Sequence, residues 1–360
     1  MKIKKVTAKE FCLVEPFKFA LRERSIESVS KGHLLLKPVV AGICGSEMLY
    51  FKGEKEKEKL EKRLPMCLLH EGVARVIGTG EGTILRAGAH VVVNPMIPCK
   101  RCFACRNLAE NLCENSKYMA ATADGLARTF FSYPEERVVP VPDGIELEVA
   151  ALAEPLSVAL NAVEISRIKE GEKVSVIGDG TIGYLLTLIA SSVGRVQPEN
   201  LHLIGIVDDK LSLVKDFAST VNSIKEKERM KQLGGRFDVV FEAAGGRAHR
   251  TTIEEAIDLL RPGGRCVLLG ISRGEVPIEA TKIVNKGLSF MGTTRSRMEH
   301  YHKVLELLKD EEVREKVERV VSKKRFTINI PEDLEEAFRY ADTEEGEART
   351  KPGRVLVYFP

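Results

Sequence analysis

The chain has 360 residues, 44% of them hydrophobic and 30% charged, a balance that fits an ordinary globular protein of about two domains. A formal net charge of +3 is too even to make nucleic acid or an acidic membrane surface the main partner. No run reaches the roughly 18 apolar residues of a membrane helix, and the start, MKIKKVTAKEFC, has a basic end without the apolar core of an export signal. The expectation is a cytoplasmic protein, where clustered cysteines bind metal more often than they pair.

Residues 1–153 are rich in short valine-laden runs broken by glycine and proline. HLLLKPVVAGICG, EGVARVIGTG and GAHVVVNPMIPC predict strands and turns, hence a β-rich first domain. KGEKEKEKLEKR predicts a solvated helix or loop. In CKRCFACRNLAENLC, residues Cys99, Cys102, Cys105 and Cys113 follow C-x2-C-x2-C-x7-C spacing. Four thiolates surround Zn2+ tetrahedrally and leave no position for substrate. The stretch therefore predicts a structural zinc that pins a lobe at 95–115. An iron–sulfur cluster is the alternative, but the run lacks the spacing and the proline of a bacterial ferredoxin. Cys12, Cys44, Cys67 and Cys266, each taken alone, read as small buried hydrophobes.

From Glu154 to 292 the pattern changes to strand–helix alternation. KVSVIGDG, LHLIGIV, FDVVFEAAG, GRCVLLG and GLSFMG read as buried strands, with TIGYLLTLIASSVG and HRTTIEEAIDLL as helices between them. That alternation predicts a doubly wound parallel sheet. Residues 293–360 hold helices, HYHKVLELLKD and PEDLEEAFRYA, and a closing strand, GRVLVYF. No internal repeat is visible.

GDGTIG places Gly178, Gly180 and Gly183 in G-x-G-x-x-G spacing, with Thr181 and Ile182 between them. The run follows a strand and opens a helix, the context in which it predicts a dinucleotide site. A carboxylate at the end of the second strand would hold the ribose 2′-hydroxyl of NAD. Asp208 and Asp209 are candidates, but Asp208 lies 30 residues past Gly178, against a usual separation of about 20. If Gly205 holds the acid's place instead, nothing repels a 2′-phosphate, Lys210 supplies a cation, and NADP(H) is favoured, with NAD(H) left open. Gly245, Gly246 and Arg247 in AAGGR, and Gly270 at the end of GRCVLLG, stand at strand ends that line such a cleft.

A second ligand set is Cys44 in GICGSE, His70 and Glu71 in LLHEG, and Glu154 in ALAEPLSVALNAV. None is diagnostic alone. Together, beside a dinucleotide loop, they suit a catalytic zinc, which takes about three protein ligands and keeps one position open. Ser46 and Tyr50 are candidates for passing a proton to solvent. Arg295, Ser296 and Arg297 in TTRSR offer donors for a substrate phosphate.

Taken in order, GICGSE, LLHEG, the four-cysteine lobe, AEPLSVALNAV and GDGTIG resemble the zinc-dependent medium-chain dehydrogenase/reductase family over nearly the whole chain. The resemblance implies an α/β protein with a GroES-like β-rich catalytic domain, a Rossmann domain after it and a C-terminal return to the first. It implies Cys44, His70 and Glu154 as catalytic-zinc ligands, Glu71 as an inner or exchangeable ligand, and the four clustered cysteines as the structural site. Glu154 and Arg295 resemble the polyol dehydrogenase branch. KRLPMCLLHEGV, IGDGTIGY, FEAAGGR and the long run from LLGISRGEVP to MGTTRS are similar to the ribulose-5-phosphate reductases, which use NADPH. The implied activity is hydride transfer between a nicotinamide and a polyol or keto-sugar phosphate, by a homodimer or homotetramer. An NAD-dependent dehydrogenase of a neutral polyol or of L-threonine, and a non-enzymatic zinc-stabilised scaffold, are the rival readings.

Overall fold

A computed structural model describes residues 5–246, 248–271, 274–342 and 353–360. Chain contacts divide it into two compact units. The first takes the described residues of Met1–Glu154, Arg297–Ala348 and Arg354–Pro360; the second takes those of Pro155–Ser296 and Arg349–Gly353. The chain thus crosses out of the first unit at Glu154 and returns to it at Arg297.

In the first unit the valine-rich runs form a seven-stranded sheet. Its central strand, His33–Gly42, pairs antiparallel with Glu71–Thr79, with Phe131–Pro134 and with the C-terminal strand Arg354–Tyr358. The closing strand predicted from GRVLVYF is therefore an inner strand of the first sheet. A second sheet orders Lys18–Ile26, Val6–Glu15 and Met66–Cys67. Helix Pro331–Asp342 buries Leu334, Ala337 and Phe338. Phe338 packs against Phe19 and Phe51 at ring distances of 5.5 and 5.0 Å. The charged run forms helix Lys57–Arg63, which buries none of its residues.

In the second unit six parallel strands lie in the order Ser219–Asn222, Leu201–Gly205, Val174–Ile177, Phe237–Glu242, Leu260–Leu268, Ser289–Gly292. By chain order this is 3-2-1-4-5-6, the doubly wound arrangement whose direction reverses beside its first strand. Both neighbours of Val174–Ile177 are parallel to it, and all four of its residues, Ser175 included, are buried, as in a sheet covered on both faces. Among the described residues no helix is long and apolar enough to cross a membrane.

One residue in this sheet carries a pH consequence. His202 stacks edge-on against Phe237 at 5.1 Å. Burial, helped by Arg229 and Lys173, lowers its imidazole to about 4 from 6.5. The unfolded chain then takes up the proton first as pH falls, so stability present above about 6.5 is lost progressively towards pH 4. His202→Phe is expected to flatten that stretch of an unfolding-midpoint-versus-pH curve.

Candidate active site

Two chain segments bring the metal-ligand types together in the first unit. Strand His33–Gly42 runs into helix Gly45–Phe51, and Cys44 is its N-cap residue. Strand Met66–Cys67 leads to His70 through Leu69, whose φ of 73° is left-handed. That conformation is rare for a bulky residue, and surrounding contacts hold it. The Leu69 carbonyl accepts from Leu126 N–H at 2.6 Å. A Cβ on Gly125 would lie 2.3 Å from the Leu68 and Leu69 carbonyls, so only glycine allows this approach.

Ligand atoms of Cys44, His70 and Glu71 all lie within 4.8 Å of one another. Glu47 orders two of these residues. Its Oε2 accepts from Cys44 N–H at 2.9 Å, and its Oε1 lies 2.8 Å from His70 Nδ1. A carboxylate only accepts, so Nδ1 carries the proton and the Nε2 lone pair is left as the ligand atom. Burial would lower the His70 imidazole, but the Glu47 carboxylate and the Cys44 sulfur outweigh it and raise it. Glu71 is opposite Gly42 in register. Its carboxylate oxygens are buried without a hydrogen bond among the described residues, and Arg354 Nε pairs with Oε2 at 3.0 Å. A Cβ on Gly42 would sit 2.9 Å from that oxygen, so the glycine makes room for the pair. Glu154, 5% exposed, accepts from Tyr118 Oη at 3.1 Å. Burial raises its carboxyl to about 7, with His70 opposing and Glu71 adding to the rise.

A thiol, an imidazole with its Nδ1 already engaged and a carboxylate whose Oε1 accepts no hydrogen bond among the described residues form the donor set of a catalytic zinc, so these residues fit the metal. Glu47→Ala is expected to cut zinc affinity and turnover by about 10–100-fold, the usual cost of losing a group that orients a ligand. Zinc titration of the metal-free variant checks it.

The other sequence candidates divide. Ser46 Oγ lies 3.4 Å from Cys44 Sγ and joins the site. Tyr50 does not join it: its ring belongs to the hydrophobic core, since it follows Cys44 on the buried face of the same helix with Phe51. Glu47, Tyr118 and Arg354 were not singled out in the sequence. Glu47 stands within GICGSE at N3 of its helix and could have been found as a capping residue. Tyr118 and Arg354 carry no local signal, because the fold alone brings them to the site.

The sulfurs of Cys99, Cys102, Cys105 and Cys113 also converge within 4.8 Å. Cys102 and Cys113 Sγ are 3.8 Å apart, the spacing that bonds of about 2.3 Å give at a tetrahedral zinc. Backbone N–H groups of Arg101 and Cys102 lower the Cys99 thiol to about 6, and Cys99 N–H donates to Cys113 Sγ at 3.2 Å. Burial and the neighbouring thiols push Cys105 up to about 12, so it is the convergence of four sulfurs at this spacing that fits zinc.

In the second unit the glycine loop is tight. Gly178 has φ 119°, and a Cβ there would lie 2.8 Å from Ala244 N. A Cβ on Gly183 would lie 1.7 Å from the Gly178 carbonyl. Gly180 caps helix Thr181–Ser192 with open space beside it, which leaves room for a pyrophosphate at a helix N-terminus. Gly245, with φ 60°, and Gly270 crowd together beyond neighbouring strand ends. Glu242, fully buried, accepts from the N–H groups of Ala244 and Gly245 and from Thr252 Oγ1, and so fixes that loop. Arg247 lies outside the described residues.

The end of the second strand differs from the sequence expectation. Lys210 is buried at 9% exposure, because it sits on the inner side of the short helix Asp208–Ser212. Asp208 is held by Asn222 Nδ2 at 2.6 Å and Lys225 Nζ at 2.5 Å, which draw its carboxyl below the usual range. A residue that was passed over, Asp179 in the glycine loop, lies against Gly205 and accepts from Ile206 and Val207 N–H at 2.7 and 2.8 Å. Arg295 belongs to the second unit, with φ 55° and its carbonyl accepting from Asn161 Nδ2 at 3.1 Å. Ser296 is buried. Arg297 pairs with Glu299 at 2.5 Å.

Residues 30–143 match the alcohol dehydrogenase GroES-like domain, and residues 182–310 match the zinc-binding dehydrogenase model. Ribulose-5-phosphate reductase 1 of Staphylococcus aureus is 29% identical over 91% of this chain and 93% of that protein. D-xylulose reductase A of Aspergillus oryzae is 31% identical over 79% and 81%. The solved structure of Staphylococcus aureus TarJ in complex with NADPH aligns with a TM-score of 0.78, at 25% identity, over 99% of this chain and all of that one. With a thiol–imidazole–carboxylate site in one unit and a glycine-loop parallel sheet in the other, the chain belongs to the zinc-dependent medium-chain dehydrogenase/reductase family and is an NAD(P)-dependent polyol dehydrogenase.

Proposed function

We propose that the protein interconverts a keto-sugar phosphate and its polyol phosphate, with ribulose 5-phosphate and ribitol 5-phosphate as the pair and NADPH as the hydride donor. The observation that carries this reading is the Cys44–His70–Glu71 cluster with Glu154 beside it, in a chain similar over nine-tenths of its length to a ribulose-5-phosphate reductase.

Cys44, His70 and Glu154 would hold the catalytic zinc, with Glu71, which converges with Cys44 and His70, as the exchangeable partner, and the four clustered cysteines would hold a structural one. When bound, the zinc supplies Lewis acidity at the substrate oxygen and the nicotinamide supplies the hydride. The chain's own groups orient and balance charge. Glu47 fixes the His70 ring, Tyr118 holds one oxygen of Glu154, and Arg354 offsets the Glu71 carboxylate. Ser46, beside the Cys44 sulfur, passes the substrate proton outward. Arg295 takes the substrate phosphate. For the cofactor, Gly205, Ile206 and Val207 themselves carry no carboxylate, the Asp179 carboxylate beside them is taken up by the Ile206 and Val207 N–H groups, and the Asp208 charge is met by Lys225. Lys225 therefore replaces Lys210 as the cation for a 2′-phosphate. The burial of Lys210 favours a second reading, an NAD-dependent dehydrogenase of a neutral polyol.

NADPH oxidation is followed with D-ribulose 5-phosphate and, separately, with D-ribulose. Turnover confined to the phosphorylated sugar supports the first reading, and Arg295→Ala should then raise its KM. Equal rates on both sugars, or turnover with NADH alone, would replace it with the second.

A further inference from the structure

Cys12 and Cys67 play no part in either zinc set. Both are buried, at 1% and 0% exposure, and they face each other across antiparallel strands, Cys12 in Val6–Glu15 and Cys67 in Met66–Cys67. Cys67 directs its backbone N–H to Asp124 Oδ1 at 3.0 Å, so the two residues do not exchange both ladder bonds. In such a non-hydrogen-bonded pair the Cα atoms stand about 4.5 Å apart, within the range a disulfide spans. The sulfurs are 3.1 Å apart. Two sulfurs on one tetrahedral zinc stand at about 3.8 Å, as Cys102 and Cys113 do in the lobe. The Cys12–Cys67 pair is too close for that geometry. The nearby carboxylate of Glu10 is also engaged, by Arg22 at 2.6 Å and Arg24 at 2.9 Å. The arrangement suits a covalent link better than a third metal.

We propose that Cys12 and Cys67 are a modification site: a dithiol that a small organic disulfide oxidises to an intrachain disulfide. When the two-residue edge strand Met66–Cys67 opens locally, the Cys12 thiolate attacks one sulfur of the oxidant, forming a mixed disulfide and releasing one thiol. Cys67 then attacks the Cys12 sulfur and releases the second. Two protein thiols lose two electrons and two protons, and the oxidant becomes two thiols. The environment assigns the order. The Cys67 hydrogen bond and Arg22 lower the Cys12 thiol, whereas burial raises Cys67. The link would tie the first β-strand to the segment that enters the metal site, three residues before His70.

The test treats the zinc-loaded full chain with oxidised glutathione, alkylates it under denaturing conditions and weighs its peptides. The expected product joins the peptides of Cys12 and Cys67, two hydrogens lighter than their sum. Dithiothreitol abolishes it, and its formation raises the thermal midpoint by about 5–10 °C. Cys12→Ser should make that midpoint insensitive to the oxidant. Full alkylation of both cysteines after treatment, with an unmoved midpoint in the unmodified sequence, would overturn the proposal. So would a zinc equivalent that Cys67→Ser removes.

Discussion

A Cys44→Ser variant should fold, retain the zinc of the four-cysteine lobe and lose turnover by about three orders of magnitude. A metal acting as Lewis acid contributes several kcal/mol to the transition state, and each 1.36 kcal/mol is about tenfold in rate. The loss should appear mainly in kcat. Folding should survive because Cys44 is only half-buried and, as helix N-cap, its backbone N–H donates to Glu47 Oε2 whatever the side chain, while serine keeps a capping atom on that side chain. Circular dichroism and a zinc assay separate this result from simple misfolding.

Arg354→Leu should destabilise the first unit by about 3–5 kcal/mol, the usual cost of leaving one member of a buried ion pair without its partner. Arg354 is 6% exposed. Its Nη1 donates to the Ile43 carbonyl at 2.8 Å, and its Nε faces Glu71 Oε2 at 3.0 Å. Burial alone would lower the guanidinium, but Glu71, Cys44, Glu154 and Glu47 together raise it above its ordinary value. It is thus a counter-charge to a cluster of anionic groups. Zinc at the same cluster would neutralise part of that charge. The denaturation midpoint should therefore fall further in metal-free protein than in zinc-loaded protein.

The sequence was most readable where chemistry and position coincide locally. Gly178, Gly180 and Gly183 stand in one turn, and that turn has the shape their spacing implies: a Cβ on Gly178 or Gly183 would meet a contact too close for a side chain, and Gly180 faces open space. The four lobe cysteines lie within fifteen residues, so their convergence needs little from the rest of the chain. Residues joined only by the tertiary fold were hidden. Arg354 reaches Glu71 because the last strand pairs beside His33–Gly42, which no local pattern announces. Cys12 and Cys67 read singly as core thiols and became a pair only through strand register. Lys210 and Tyr50 are buried for the opposite reason. Their sequence positions suggested accessible groups, and helix phase turned each one inward.

Zinc content per chain, measured in the unaltered protein, in Cys44→Ser and in Cys102→Ser, tests the two-site account most directly. The expected values are two equivalents in the first and one in each variant, with turnover lost in Cys44→Ser. Two equivalents retained by Cys44→Ser, or undiminished turnover in it, would contradict the assignment of Cys44, His70 and the neighbouring carboxylates to the catalytic metal.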